Sequence, residues 1–349
     1  MTASVHLLSL ATASPPHELR QDNVVEVARA VFGPRFPQFE RMVPVFRNAG
    51  VRTRQLVMPV EWYLAPRGWP ERGAAFLAGA LELFCDAAQG ALVEAGLNGE
   101  DIDAIVTVSS TGIATPSLEA MAMTRMGFRS DVARIPVFGV GCAGGATGLA
   151  LASRLARSDP GSKVLLVCVE LCSLAFRLDE PTKTDIISTA IFGDGAAACV
   201  LSSDGEGFAT VTGFGEHAWP DTLDIMGWRA GQSGLAVMLD RALPPFVRRE
   251  IRPVMETLLA RQALSFEDVD RFICHPGGMK VVEAIEGAFG LGQGALDHER
   301  EVLADHGNMS SPTVLFILDR ARKVGLPKRS VVTALGPGFT ASAVTLAAA

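Results

Sequence analysis

The run 91–110 closes an amphipathic helical pattern, crosses a polar loop and enters Glu100-Asp101-Ile102-Asp103-Ala104-Ile105-Val106-Thr107-Val108, an apolar stretch of strand length. A similar phrase returns at 258–276, where a helical stretch gives way to Glu267-Asp268-Val269-Asp270-Arg271-Phe272-Ile273-Cys274 and then to glycines. Asp103 and Asp270 hold the same place in the two phrases, 167 residues apart. A second pair follows at nearly the same spacing: Gly141-Cys142-Ala143-Gly144-Gly145 opens a helical run over 146–155, and Gly307-Asn308-Met309-Ser310-Ser311 opens another over 312–321. A third pair, Phe192-Gly193-Asp194-Gly195-Ala196-Ala197 and Leu335-Gly336-Pro337-Gly338-Phe339-Thr340, predicts a glycine hairpin between two apolar strands in each copy. Its spacing of 143 residues implies loops of different length in the copies. Three matched elements in one order predict a duplicated α/β unit whose halves meet near 202–207, an N-terminal half over 1–205 and a C-terminal half over 206–349. Two sheets then stack with helices between and outside them, and equivalent loops face one another across a pseudo-twofold axis. One site would draw residues from both halves.

Composition narrows the classes. With 349 residues, 48% of them hydrophobic and 20% charged, the chain can bury a large core, which excludes intrinsic disorder. Its 35 glycines and 20 prolines follow no period of three, which excludes a collagen-like chain. A net charge of -7 argues against nucleic acid as the main partner, because phosphate neutralisation needs clustered Lys and Arg. Arg35, Arg41, Arg47, Arg52 and Arg54, with Glu40 as their only acid, form the one basic stretch, read first as a solvated face. The uncharged stretches 135–153 and 331–349 approach membrane-spanning length, but both are crowded with Gly, Pro, Ser or Thr and read as buried strand-turn elements, so no integral membrane segment is expected. Residues 1–10 show no basic region before the apolar ones, which leaves the cytoplasm as the expected location.

None of the six cysteines forms a C-x-x-C pair, and no His and carboxylate group has ligand spacing on a helix face, so a metal site is not expected. Cys142 stands out among them. It follows an apolar strand in Phe138-Gly139-Val140-Gly141-Cys142 and starts a helix, where N–H groups and the helix dipole favour a thiolate. The alternative is a small buried cysteine in a glycine-rich packing turn. His275, in Cys274-His275-Pro276-Gly277-Gly278, ends the second strand phrase and suits an acid, base or oxyanion donor, or a structural role. Asn308 is the counterpart of Cys142 in the repeat, so its amide is expected to face the same space; taken alone it reads as a helix N-cap. His306 is a weaker candidate, a partner for Asn308 two residues on, and His6, His17, His217 and His298 lack comparable context.

The segments around Cys142, His275 and Asn308, with Ile191-Phe192-Gly193-Asp194-Gly195 and Leu335-Gly336-Pro337-Gly338-Phe339, resemble type III polyketide synthases, the chalcone synthase-like branch of the thiolase fold. The resemblance runs from about Ala49 to the C-terminus. Ketoacyl-ACP synthase III also uses Cys, His and Asn, but His-Pro-Gly-Gly and Gly-Asn-Met-Ser-Ser look like the type III enzymes. The resemblance implies a five-layered αβαβα sandwich, a homodimer, and acyl-CoA and malonyl-CoA as substrates without a tethered carrier or a cofactor. Cys142 then matches the nucleophile, His275 the histidine and Asn308 the asparagine of the family's set. Phe192 matches the phenylalanine guarding the pocket where the CoA arm enters. Ser310, Gly336, Pro337 and Gly338 match cavity positions, and Thr115 a dimer-interface position reaching toward the partner's cavity. Arg41 is the one match to the basic residues that hold CoA phosphates.

Departures from the plant pattern bear on substrate. Val237 replaces a second gatekeeping phenylalanine, and Cys172 and Ala175 replace two threonines. Met226-Gly227-Trp228-Arg229, with the segment 109–117, resembles bacterial members that make alkylresorcinols and alkylpyrones from fatty acyl-CoA starters. A wider, apolar cavity would suit an alkyl chain, since each buried methylene is worth about 0.8 kcal/mol. The expected chemistry is attack by a Cys142 thiolate paired with a His275 imidazolium, decarboxylative condensation of malonyl-CoA, and cyclisation. The readings left open are a long-chain starter, a short or aromatic starter, and a non-catalytic acyl-CoA-binding protein.

Overall fold

The computed structural model describes residues 4–176, 182–231 and 234–349. Its strands are β1 (Val5–Ala13), β2 (His17–Arg20), β3 (Thr53–Leu56), β4 (Ala104–Val108), β5 (Ala133–Val137), β6 (Lys163–Leu171), β7 (Asp194–Ser202), β8 (Ala209–Ala218), β9 (Met226–Gly231), β10 (Gly234–Leu239), β11 (Arg271–Cys274), β12 (Arg329–Gly336) and β13 (Thr340–Ala348). The main sheet runs β11-β12-β13-β8-β1-β7-β6-β4-β5.

Duplication is written in the pairing. Outward from the centre, β1 pairs antiparallel with β7, β7 antiparallel with β6, and β6 parallel with β4. On the other side β8 pairs antiparallel with β13, β13 antiparallel with β12, and β12 parallel with β11. The repeated aspartates do the same work in each copy. The Lys163 N–H donates to Asp103 and the Arg329 N–H to Asp270, both at 2.8 Å, so each carboxylate anchors the start of the neighbouring parallel strand. In both copies a short helical turn precedes the strand, with the capping pairs Asn98 and Asp101, and Ser265 and Asp268. β5 has no counterpart strand among the described residues of the second copy.

Two expectations are corrected. The half-sheets are not separate: Val5, His6 and Leu7 of β1 pair with Val211, Thr210 and Ala209 of β8 and join them into one nine-stranded ladder. The Phe192 segment is not a hairpin either, although its counterpart at Gly336-Pro337-Gly338 is the turn between β12 and β13. Phe192 instead links the helix Lys183–Ile191 to β7. That β-branched stretch is helical because the Thr182 hydroxyl accepts from the Asp185 N–H at 3.2 Å, capping the first turn. The Ser188 and Thr189 hydroxyls then donate back to the carbonyls of Thr184 and Asp185.

The five-layered sandwich expected of a thiolase fold is present. Helices Gly144–Ser158 and Thr313–Val324 pack between the halves, the first against β4 and β6 on one side and β12 and β13 on the other. Their contact buries Leu149, Val106, Leu166, Ile273, Leu315, Val332 and Val344 in one apolar cluster. Outside lie Trp69–Ala95, packed on β1, β6 and β7, and Leu243–Ala260, packed on β8, β13 and the helix Met279–Phe289. Trp69–Ala95 is the one helix among the described residues long and apolar enough to cross a membrane. Here it is the outer cover of the N-terminal half-sheet. The stretch 135–153 forms β5, a turn and the start of the central helix, and 331–349 forms the β12–β13 hairpin.

Candidate active site

The turn that carries Cys142 is built by its neighbours. The Ser110 hydroxyl, beyond β4, accepts from the N–H groups of Gly139 (3.2 Å) and Gly141 (3.1 Å), pinning a tight 3-10 turn, Gly141–Ala143, before the central helix begins. Gly141 has φ +46° and a Cβ there would lie 2.7 Å from Pro337 Cδ, so only glycine fits. Gly336 is constrained likewise, since a Cβ on it would meet the Val140 carbonyl oxygen at 2.5 Å. The two halves therefore touch through backbone beside Cys142. The alternative of a buried packing cysteine fails, because Cys142 is half-buried and lines an open cavity.

Asn308 follows the helix Asp297–His306 and is held on every side. Its N–H donates to the Ile191 carbonyl (2.7 Å), its carbonyl accepts from the Gly193 N–H (3.1 Å), and its amide Nδ2 donates to the Gly277 carbonyl (3.2 Å). Its Oδ1 accepts from the Ser310 N–H at 2.8 Å, which turns the chain so that Ser310 adopts φ 59°. It is not an N-cap: the next helix begins at Thr313. One of the two Nδ2 hydrogens is spent on Gly277, and the second is on the side of Cys142, where a ligand oxygen can take it. The Ser310 hydroxyl donates to the Cys142 sulfur at 3.4 Å.

His275 stands immediately after β11, only 4% exposed, with its N–H bonded to the Thr333 carbonyl at 2.9 Å. Neither ring nitrogen has a hydrogen-bond partner. Burial without a counter-charge pushes the imidazole down to about 3. Burial also raises the Cys142 thiol to about 11, opposed by the hydrogen bonds from Ser310 and Asn308 and reinforced by the charge of Glu170. These environments work against both charges of the expected imidazolium and thiolate pair, and no hydrogen bond joins the two side chains.

Cys142, His275, Asn308 and Ser310 meet in a cavity open to solvent, which Phe192, Val237 and Pro337 also line. These four supply all of its hydroxyl, thiol, imidazole and amide side chains, and its lining includes no charged residue. The far wall is Met226, Trp228, Val237, Met238, Leu239, Leu243, Val281 and Leu335. Register places Val237 opposite Trp228 across β9 and β10, and the Trp228 ring lies 6.3 Å from that of Phe192.

Other sequence candidates sit elsewhere. Cys172 is fully buried beneath the pocket, packed with Phe46, Ile186 and Phe192, and neither it nor Ala175 lines the cavity. Gly338 lies in the turn after Pro337, with φ +69°, and Gly336 beside Val140; neither borders the free space. Thr115 is exposed, near exposed Ile113. Arg41 is exposed on the helix Phe39–Asn48. His306 turns away from Asn308 to pair its Nδ1 with Gln55 Oε1 at 2.8 Å. Among the described residues no group of three or more His, Cys, Asp or Glu could hold a metal.

Sequence reasoning overlooked three residues. Trp228, in the phrase Met226-Gly227-Trp228-Arg229, forms part of the pocket wall. Glu170, the one charge inside the apolar run of β6, accepts from the Ser110 N–H and the Thr111 and Ser311 hydroxyls, and burial pushes its carboxyl up to about 7. Arg54 was counted in a solvated basic face, yet it is fully buried; the alternation of β3 turns it inward with Leu56.

Comparison with known proteins agrees with this architecture. Residues 2–205 match the N-terminal domain of chalcone and stilbene synthases and residues 216–348 their C-terminal domain. A 1,3,6,8-tetrahydroxynaphthalene synthase of Streptomyces peucetius subsp. caesius is 39% identical over 99% of the chain and 92% of that protein. A putative chalcone synthase of Bacillus subtilis is 33% identical, covering 96% of each. The crystal structure of the tetrahydroxynaphthalene synthase of Streptomyces coelicolor, a bacterial type III polyketide synthase, superposes with a TM-score of 0.94 at 28% identity, over 98% of this chain and 99% of that one. With a duplicated sandwich whose halves contribute a thiol, an imidazole and an amide to one cavity, the chain belongs to the chalcone and stilbene synthase family and is a type III polyketide synthase, an acyltransferase.

Proposed function

We propose that the enzyme loads an apolar, long-chain acyl group from acyl-CoA onto Cys142, extends it with malonyl-CoA and closes the product to an alkylpyrone or alkylresorcinol. The observation that carries this reading is the far wall of the cavity, from Met226 to Leu335, where the Trp228 indole N–H is the one polar side-chain group. Such a wall gains free energy from an alkyl chain and gives hydroxyl and keto groups few partners.

His275, neutral, takes the Cys142 proton as sulfur attacks the thioester carbonyl, and that proton leaves with the CoA thiol. Malonyl-CoA then loses carbon dioxide, and the electron pair of the broken bond becomes an enolate on its thioester. The free Nδ2 hydrogen of Asn308 and the imidazole N–H of His275 donate to the enolate oxygen. The enolate carbon attacks the acyl carbonyl, Cys142 leaves as thiolate, and transfer of the longer chain back to Cys142 allows another round. Arg41, on an exposed helix, is the proposed contact for CoA phosphate. The reading includes a cytoplasmic homodimer meeting near exposed Ile113 and Thr115.

A second reading, malonyl-CoA as its own starter with a naphthalene product, is favoured by the names of the Streptomyces relatives. Incubation of the purified enzyme with malonyl-CoA alone, and with starters from acetyl-CoA to stearoyl-CoA and benzoyl-CoA, separates them by product mass. Alkylpyrone or alkylresorcinol masses that dominate with long starters are expected. Tetrahydroxynaphthalene from malonyl-CoA alone, formed faster than any acyl-primed product, overturns the long-chain reading.

A further inference from the structure

Among the described residues Arg54 forms no ion pair with a carboxylate, although its guanidinium is fully buried. It donates instead to main-chain carbonyls at the C-terminal end of the helix Lys183–Ile191: Nη1 to Thr189 (2.7 Å) and Phe192 (2.9 Å), and Nη2 to Ala190 (2.9 Å) and to the side chain of Gln21. Carbonyls at a helix C-terminus lack partners within the helix and carry its negative end, so a cation is well placed there. The carbonyl between them, that of Ile191, accepts from the Asn308 N–H at 2.7 Å, and the next N–H, that of Gly193, donates to the Asn308 carbonyl at 3.1 Å. Four consecutive carbonyls are thus divided between Arg54 and Asn308. Gln21 steadies the clamp, its amide donating to the Phe46 (2.8 Å) and Ala190 (3.0 Å) carbonyls.

Resting on the role proposed above for Asn308, we infer that Arg54 is a positioning residue that fixes the segment 189–193 and through it aims both the Asn308 amide and the Phe192 ring at the cavity. The turn bearing Cys142 is built on Ser110 and Gly141, and the link from Asn308 to the sulfur runs through Ser310. Loss of the clamp therefore acts mainly on enolate stabilisation and less on acyl loading. Lysine in its place keeps a charge but not the planar fork that serves several carbonyls at once.

The test splits the two half-reactions in Arg54→Lys. Malonyl-CoA decarboxylation is expected to fall about tenfold or more, as for a displaced oxyanion donor. Acylation of Cys142 by an acyl-CoA, read by intact mass, is expected to fall by clearly less than that, because the turn on Ser110 still holds the thiol. A parallel fall of both rates, or unchanged decarboxylation in folded Arg54→Lys, overturns the inference. If that variant does not fold, Gln21→Ala, which removes one support of the guanidinium, decides by the same split. Asn308→Ala run alongside distinguishes the failures. Decarboxylation retained there overturns the role of Asn308 itself, whereas decarboxylation lost there but kept in Arg54→Lys overturns only the role of Arg54.

Discussion

The Ser310 hydroxyl donates to the Cys142 sulfur across 3.4 Å, so a residue of the C-terminal half touches the reactive thiol of the N-terminal half. Ser310 reaches that position because Asn308 Oδ1 binds its N–H and holds it at a positive φ. Hydrogen bonding to sulfur favours the thiolate and opposes the burial that raises Cys142 to about 11. Ser310→Ala removes that bond, so the thiol rises further and its thiolate fraction at pH 8 shrinks. Alkylation by iodoacetamide at pH 8 should slow roughly three- to tenfold, given the strength of a hydrogen bond to a charged group. An unchanged rate would show that the contact does not persist in solution.

Gly141→Ala tests the turn itself. A side chain at φ +46° and a Cβ 2.7 Å from Pro337 force either the turn or the facing hairpin to move. Backbone strain of this kind costs about 1–3 kcal/mol. Denaturant unfolding should register that loss, together with a reduced Cys142 alkylation rate. A variant as stable and reactive as the wild type would mean that the halves are less tightly apposed here.

Trp228 and Ala175 give opposite expectations for starter length. Trp228→Ala removes the indole facing Val237 and deepens the cavity, so the preferred starter should lengthen, each added methylene worth about 0.8 kcal/mol once buried. Ala175→Trp should leave the preference unchanged, because Ala175 does not border the cavity. Competition among mixed acyl-CoA starters, with products resolved by mass, reads both. A shorter preference in Ala175→Trp would reveal a tunnel opening past Cys172.

Glu299 predicts a pH dependence of stability. Its Oε1 accepts from the Cys274 N–H at 3.0 Å, while Oε2 is buried without a hydrogen-bond partner, 3.7 Å from Arg271. Burial lifts the carboxyl from 4.5 to about 7, against the Cys274 hydrogen bond and the charges of Arg271 and Arg300. The native state therefore keeps a proton that the unfolded chain has released, so this contribution is full below pH 4.5 and is lost as pH rises through about 7. Glu170, raised to about 7, and Asp194, raised to about 6, act with the same sign. Glu299→Gln keeps the acceptor and removes the charge, so its melting temperature should fall less than that of the wild type between about pH 5 and pH 8. Parallel curves would show that Glu299 does not titrate in this range.

The duplication was legible because its marks are local. Asp103 and Asp270 each hold the next strand through one backbone N–H, so both copies display the same short phrase. Cys142, His275 and Asn308 were legible for a related reason: each ends a strand or helix at a glycine-marked turn, where backbone constraint leaves a signature. The Phe192 segment was misread because its β-branched residues have strand propensity, and capping by Thr182 together with Arg54 at the far end outweighs it.

By itself the sequence determined the repeat, the thiolase-like layering and the three residues with chemistry in their side chains, because periodicity and turn residues act over a few positions. Only the tertiary structure decided that β1 and β8 fuse the half-sheets, that Arg54 is buried against the carbonyls of Thr189, Ala190 and Phe192, that Cys172 and Ala175 do not line the cavity, and that Trp228 does. It also decided how far the two groups are removed from water, which disfavours the thiolate of Cys142 and the imidazolium of His275. Desolvation and long-range packing depend on which surfaces meet, and those partners can be far apart along the chain, as Arg54 and Phe192 are, 138 residues from one another.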